Sequence, residues 1–431
     1  IYNRKLSPCI RSFQQHLQFY FQGSKINTGK MIPVNQPLLA KNTQKYVSQC
    51  IETGWISSAG EFIRRFEHDF SHFLNVKHAI TTTSGTTALH LALISTGIGP
   101  DDAVFVPDLT MIAVPYAVLY TGASPIPVDV DPETYNIDPR KIREFITGHC
   151  RYDPKNKSLI DKHTHKTIRA ILPVHLYGHP CDMDSIKEIA DEYGLLVIED
   201  AAEAHGAMVF KEGDKEKGVY AGAIGDVGCF SFYANKIITT GEGGMVVTNS
   251  DEMAAKARLY KDLAHSPERR FLHTDLAFNY RMTNLQAAVG TAQMEDIDKF
   301  ISIKRSMAQA YSSSLQNVQG LTLPVEKEWA RCVYWMYTIL VQEDFGISRD
   351  QVMSLLKEKG IDTRSFFIPV HKQPVFQKFQ ETRHLSFPES TQLSEKGLYL
   401  PSGLALTSSQ IQEVCQAIRD IHIKNIPFSL D

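Results

Sequence analysis

From about residue 60 to residue 250 the chain alternates short apolar runs with stretches whose apolar positions recur at helical spacing. HAITTT (78–83) predicts a strand, TTALHLALIST (86–96) a helix, AVFVPD (103–108) a strand and AVPYAVLYTGA (113–123) a helix. SPIPVDVD and RAILPVHLYG read as strands, DMDSIKEIADEYG as a helix, and LLVIED (195–200) as another strand. Uninterrupted apolar runs between helices are what strands buried on both faces produce, because crossover helices cover both sides of a parallel sheet. The pattern predicts an α/β doubly wound core with a mostly parallel sheet.

After residue 290 the character changes. QVMSLLKEKG predicts a helix closed by Gly360, and TSSQIQEVCQAIRDI (407–421) opens with Thr407 and Gln410 at capping-box spacing. Ile411, Val414, Cys415 and Ile418 then share one helical face, and YWMYTILV between these helices reads as a strand. The expected organisation is a large domain over 31–290 and a smaller C-terminal α+β domain over 291–431, joined in the helical stretch near 285–320. Residues 1–30 contain no apolar signal core and precede Met31, so they read as an extension outside the fold. GHCRYDPKNKSLIDKHTHK (148–166) is polar and aperiodic and is predicted to be an exposed loop. Its His149, His163 and His165 lack the carboxylate or cysteine spacing that would complete a metal site.

Composition narrows the classes. The 431 residues are 43% hydrophobic and 22% charged, which is globular material with room for more than one domain. Lys and Arg number 45 against 48 Asp and Glu, a net charge of -3, so no global field favours nucleic acid or an anionic membrane, and a small ligand is the expected partner. The seven cysteines show no CxxC pair, which argues for reduced thiols in a cytoplasmic protein rather than disulfides or a zinc site. No apolar run approaches the roughly 20 residues that span a bilayer.

Open α/β sheets bind ligands beyond the carboxyl ends of their strands. Three polar features fall at such ends. In TTTSGTTALH a strand runs through Ser84, Gly85 and Thr86 into a helix, placing free N–H groups and a helix dipole where a phosphate could sit, although taken alone a capped helix after a tight turn is the plainer reading. LLVIEDAAEAHGA delivers Glu199 and Asp200 to a strand end, where a carboxylate can cap a helix or keep a ring nitrogen protonated. In SFYANKIITTGEGGM (231–245), Lys236 lies between the strands VGCFSFY and MVVTN, in a turn that lacks the Gly-Lys-Ser/Thr ending of a nucleotide-phosphate loop. Together the three meet the needs of pyridoxal phosphate: an anion hole, a carboxylate for the pyridine nitrogen, and an amine for the aldehyde.

WISSAGEFIRRFE, SGTTALHLAL, VHLYGHPCDMDSI, IEDAAEAHGA, FSFYANKIITTGEGGMVVTN, NYRMTNLQAA and FFIPVH follow one another between residues 55 and 371. In these motifs the chain resembles the DegT/DnrJ/EryC1/StrS family of sugar aminotransferases over nearly everything after Met31. The resemblance implies the fold type I architecture of pyridoxal-phosphate enzymes, with Lys236 as the cofactor's covalent anchor, Asp200 as partner of the ring nitrogen and Glu203 beside the ring hydroxyl. It places Gly85, Thr86 and Ser231 on the phosphate. Asn279 matches a position that reaches the phosphate of a neighbouring subunit, implying a homodimer with shared active sites. Arg281 is expected to face the amino donor's carboxylate, and Ser57 and His371 to meet substrate. Where the family usually stacks an aromatic residue on the ring, this chain has Met111, whose polarizable sulfur can also pack there.

The activity implied is transfer of an amino group from L-glutamate to C4 of a nucleotide-linked 4-keto-6-deoxy sugar. A GDP-linked sugar is the first choice, with UDP- and dTDP-linked sugars as alternatives. Two rivals stand beside it. Some relatives are 3-dehydratases with histidine at the lysine position, and Lys236 speaks against that. A cofactor-binding regulatory protein without turnover would want a basic patch or a helix-turn-helix signal, and the sequence offers neither.

Overall fold

The computed structural model describes residues 31–425 except 212, 213, 267, 270 and 379–384. The extension read in residues 1–30 lies outside them. Among the described residues nine strands form one sheet: β1 (His78–Thr82), β2 (Asp102–Pro107), β3 (Ser124–Val128), β4 (Cys150–Asp153), β5 (Ser158–Asp161), β6 (Thr167–Ile171), β7 (Leu196–Asp200), β8 (Val227–Ser231) and β9 (Gly244–Thr248). The spatial order is β1-β9-β8-β7-β6-β2-β3, with the β4–β5 hairpin beside β6.

Pairing is parallel from β8 across to β3, while β9 runs antiparallel to both β8 and β1. β1, β2, β6, β7 and β8 therefore end at one edge. Burial on both faces explains the apolar runs: all five residues of β3, β8 and β9 are buried. The helix Gly85–Ser95 is buried on nearly every side and packs behind β8 and β9. Helix Glu61–Leu74 lays a stripe of Phe62, Phe66, Phe70 and Leu74 against helix Asn284–Met294. Contact there is close because Gly290 has no side chain; a Cβ would stand 2.7 Å from the Phe66 ring.

The expected loop at 148–166 is corrected by the structure. Residues 150–161 form a hairpin whose second strand pairs antiparallel with the first half of β6, the half β7 leaves free. Polar composition concealed it because only alternate residues face inward: Leu159 and Asp161 are buried while Ser158 and Ile160 are only partly so.

A second core gathers around a four-stranded antiparallel sheet of Leu321–Thr322, Thr338–Val341, Gly397–Tyr399 and Arg364–Ser365. Helices Ile297–Leu315, Arg349–Glu358 and Ser408–Asn425 contribute to it. The capping box expected at Thr407 forms, with Gln410 N–H donating to Thr407 Oγ1 at 3.2 Å and Thr407 N–H to Gln410 Oε1 at 2.9 Å. Ile32 belongs to this core as well: its N–H donates to Gly360 O at 2.8 Å and its side chain is buried there. The strand read in YWMYTILV survives only from Thr338, because Tyr334 takes φ 48° and turns the chain before it.

Candidate active site

Lys236 sits on the connection from β8 to β9, at the carboxyl edge of the sheet. Its side chain is only 10% exposed; the amine lies 3.4 Å from Glu203 Oε1 and 3.8 Å from the centre of the Trp335 ring. These neighbours rule out a solvated surface charge. Lys236 opens on a cavity of about 310 Å³, within the range of small-molecule sites.

The pleat of β7 sends its last two carboxylates to opposite sides. Glu199 is wholly buried and saturated, accepting N–H bonds from Gly222 (2.8 Å), Ile224 (2.7 Å) and Gly225 (2.6 Å). Cys181 N–H donates to His175 Nδ1 at 3.0 Å, which leaves the ring proton on Nε2 to donate to Glu199 at 2.9 Å. Glu199 is thus structural. Asp200 faces the cavity, with Oδ1 accepting Ala202 N–H at 3.0 Å.

Glu203, one turn further on, also faces the cavity and accepts Tyr177 N–H on Oε2 at 2.8 Å. Burial pushes the Asp200 carboxyl above the usual carboxylate range, against the pull of Ala202 N–H and of the Lys236 charge. Burial does the same to Glu203, opposed first by Lys236.

Ser84 caps the helix after β1: Thr87 N–H donates to Ser84 Oγ and Ser84 N–H to Thr87 Oγ1. The cap uses its side chain on Thr87, and the first N–H groups of a helix have no acceptor within it. Gly85 and Thr86 bring theirs to the cavity wall. A Cβ on Gly85 would stand 2.7 Å from Ser231 Cβ, so glycine lets the helix start close against the end of β8 and form one cradle with Ser231. Ser231 Oγ accepts Tyr233 N–H at 3.3 Å, leaving its own O–H to donate. Asn235 Oδ1 is buried at this cavity without a hydrogen-bond partner among the described residues. An anion hole, a buried carboxylate and a shielded amine around one space fit pyridoxal phosphate. Among the described residues no group of three His, Cys, Asp or Glu side chains could hold a metal ion.

Of the residues singled out from sequence, the fold brings Gly85, Thr86, Met111, Asp200, Glu203, Ser231 and Lys236 to this cavity. Met111 is 48% exposed on its rim. Ser57, Asn279, Arg281 and His371 are not in its walls. Ser57 is exposed and accepts Asn284 N–H on its carbonyl at 2.6 Å. Arg281 donates to Asp262 Oδ1 at 2.8 Å and to Asn279 Oδ1 at 2.9 Å, so these three side chains form one surface group. His371 is held by the buried Asp108, with Nδ1 at 2.6 Å from Oδ2 and its N–H at 2.9 Å from Oδ1. Burial raises the Asp108 carboxyl, and the bonds from His371 act against that.

Among the wall residues that sequence reasoning missed are Asn235, Trp335, Phe367 and Tyr399. Trp335 and Tyr399 come from the second core's half of the chain. The available signal was an aromatic pair, Trp335 and Tyr337, in the segment just before the strand Thr338–Val341.

A mostly parallel sheet presenting a shielded lysine and two buried carboxylates beside a helix start defines an enzyme that handles an anionic ligand through an amine. The chain belongs to the DegT/DnrJ/EryC1/StrS aminotransferase family, whose sequence profile matches residues 37–419. Aminotransferases of this family depend on pyridoxal phosphate. GDP-perosamine synthase of Caulobacter vibrioides is 43% identical over 391 residues, covering 90% of this chain and 98% of the relative. GDP-perosamine synthase of Vibrio cholerae is 39% identical over 392 residues, covering 90% and 99%. The crystal structure of Streptomyces venezuelae DesV with a ketimine intermediate superposes with a TM-score of 0.77 at 33% identity, covering 88% of this chain and 94% of that one. Among the described residues no helix is long and apolar enough to cross a membrane.

Proposed function

We propose that this chain transfers the amino group of L-glutamate to C4 of GDP-4-keto-6-deoxy-D-mannose, giving GDP-perosamine, with pyridoxal 5'-phosphate held in the Lys236 cavity. The observation that carries it is the convergence of Lys236, Asp200, Glu203 and the Gly85 helix start on one space. The names of the relatives at 43% and 39% identity support the GDP-linked sugar.

When bound, the cofactor supplies an aldehyde that condenses with amines and a ring that accepts electrons from the adjoining carbon. Gly85 and Thr86 N–H and the Ser231 hydroxyl bind its phosphate. Asp200 holds a proton on the pyridine nitrogen, its negative charge favouring the cationic ring. Glu203, fixed by Tyr177 N–H at 2.8 Å, would be the partner of the ring hydroxyl. Lys236 would anchor the cofactor through its amine, and the same amine, when free, would move the proton at the α carbon of glutamate. Turnover in two halves, glutamate in and 2-oxoglutarate out before sugar binds, gives ping-pong kinetics.

Asn279 and Arg281 act on the cavity of a second copy in a homodimer. Exposed Phe271, Leu272 and Leu276 on the same segment support that contact. Arg281 takes the donor carboxylate there, and Ser57 and His371 meet the sugar nucleotide. The six cysteines among the described residues are buried and free, which supports a reducing, cytoplasmic setting.

The test is a panel of GDP-, UDP- and dTDP-linked 4-keto-6-deoxyhexoses with glutamate, read by mass spectrometry. The GDP-linked sugar is expected to lead in kcat/KM by at least about tenfold, the scale one or two specific base contacts supply. A lead for UDP or dTDP sugars overturns the assigned base, and no 2-oxoglutarate with any of them overturns the activity. Gly85→Ala is a second check. The added methyl forces the cradle apart from Ser231, an overpacking cost of about 1–3 kcal/mol, so titration with pyridoxal phosphate should show affinity reduced about tenfold or more.

A further inference from the structure

Lys236 has a neighbour that the roles above leave unused. Trp335 is 3% exposed, and the face of its ring covers the lysine amine at 3.8 Å, a distance at which a cation is attracted by the indole quadrupole. Trp335 is held both at its ring and at its backbone. Its Nε1–H donates to Asn235 O at 2.7 Å, and Asn35 Nδ2 donates to the same oxygen at 2.9 Å, so the peptide immediately before Lys236 is pinned by two donors. At the backbone Trp335 O accepts from Lys304 Nζ at 2.8 Å.

Lys304 is 1% exposed, and the amine also donates to Ser402 O, so it is met by carbonyls rather than by a carboxylate. Ser402 Oγ in turn accepts Tyr337 N–H at 2.9 Å, closing the brace around the Trp335–Tyr337 turn. Burying an amine without a counter-charge is costly. Burial pushes this one down to about 7, and the neutral amine still offers two N–H donors for the two carbonyls. What the side chain contributes is geometry: it ties helix Ile297–Leu315 to the turn that presents Trp335.

We propose that Trp335 is a positioning residue for Lys236, its indole face being the seat of the lysine amine whenever that amine is not bonded to carbon, and that Lys304 is the buried strut holding the indole there. This rests on the reading of Lys236 given above. The seat keeps the free amine at the cavity instead of letting it explore the rotamers open to a four-carbon stem.

The experiment uses cofactor-free protein. Pyridoxal with borohydride traps accessible amines, and peptide mass spectrometry gives the trapping rate at Lys236 relative to exposed Lys41 in the same sample. Trp335→Leu is expected to lower that ratio about tenfold, because the amine then spreads over the rotamers of its stem instead of staying at the cavity. In the reconstituted enzyme kcat should fall in proportion with KM for glutamate unchanged. Trp335→Phe, which keeps a ring face but loses the N–H, should fall between the two, and Lys304→Met should shift the ratio in the same direction. A folded Trp335→Leu with ratio and kcat within twofold of the parent overturns the proposal, and should that variant not fold, the same result in Trp335→Phe does so. A parent protein not labelled at Lys236 at all overturns the Lys236 reading itself, and this inference with it.

Discussion

Lys236→Ala will abolish turnover, with a loss of order 10³-fold or more, and the protein will no longer acquire the lysine-dependent visible absorbance on adding pyridoxal phosphate. That loss corresponds to roughly 4 kcal/mol or more of transition-state stabilisation. Lys236 both anchors the cofactor and moves the proton, and alanine can do neither. The same change removes the positive charge 3.4 Å from Glu203. A buried carboxylate stripped of its partner is destabilising, so activity alone does not separate lost chemistry from lost folding. Lys236→Arg separates the two. It restores the charge and the aromatic contact but cannot condense with an aldehyde, so thermal stability should recover while turnover stays absent. Measurable sustained turnover in folded Lys236→Ala would refute the assignment.

Asp200→Asn should push activity and stability in opposite directions. Asparagine is nearly isosteric but carries no charge, so the pyridine nitrogen loses the partner that keeps it protonated, and kcat should fall by of order 10² to 10³-fold. In cofactor-free protein the sign reverses. The Asp200 carboxyl is raised by burial, which means the folded state binds its proton more tightly than the unfolded chain does.

Its favourable contribution is therefore complete below the unfolded carboxyl range and is lost as pH rises through the higher folded value. Above the unfolded carboxyl range the buried carboxyl therefore costs the folded state stability that a neutral amide does not. Asparagine should raise the thermal midpoint of the cofactor-free protein and flatten the fall in stability on going from acid to neutral pH. Differential scanning calorimetry of both forms across that range is the measurement. A lower midpoint for the variant at neutral pH would show that Ala202 N–H and Lys236 already compensate Asp200 in full.

Much of the fold could be read from local pattern. Strands buried on both faces announce themselves as apolar runs, which is why β1, β2, β7, β8 and β9 were legible. The hairpin at 150–161 was not, because a strand at the margin of a sheet buries alternate residues and its polar ones resemble loop. The lysine, the glycine beside Ser231 and the Glu199–Asp200 pair were legible as chemistry because each lies at a strand end, where an α/β sheet puts its ligands.

Which of the two adjacent carboxylates serves the site was beyond composition or spacing. The pleat and four N–H donors commit Glu199 to the scaffold and leave Asp200 to the cavity. Likewise, a tryptophan 99 positions after the lysine carries no sequence mark of the contact at 3.8 Å. The sequence by itself determined the order of strands and helices and the residue types at their ends, since those follow from side-chain period and local turn chemistry. Tertiary structure alone decided which of those ends meet, because contacts between residues far apart in the chain arise when two cores pack and bury surface together, and no local pattern encodes that geometry.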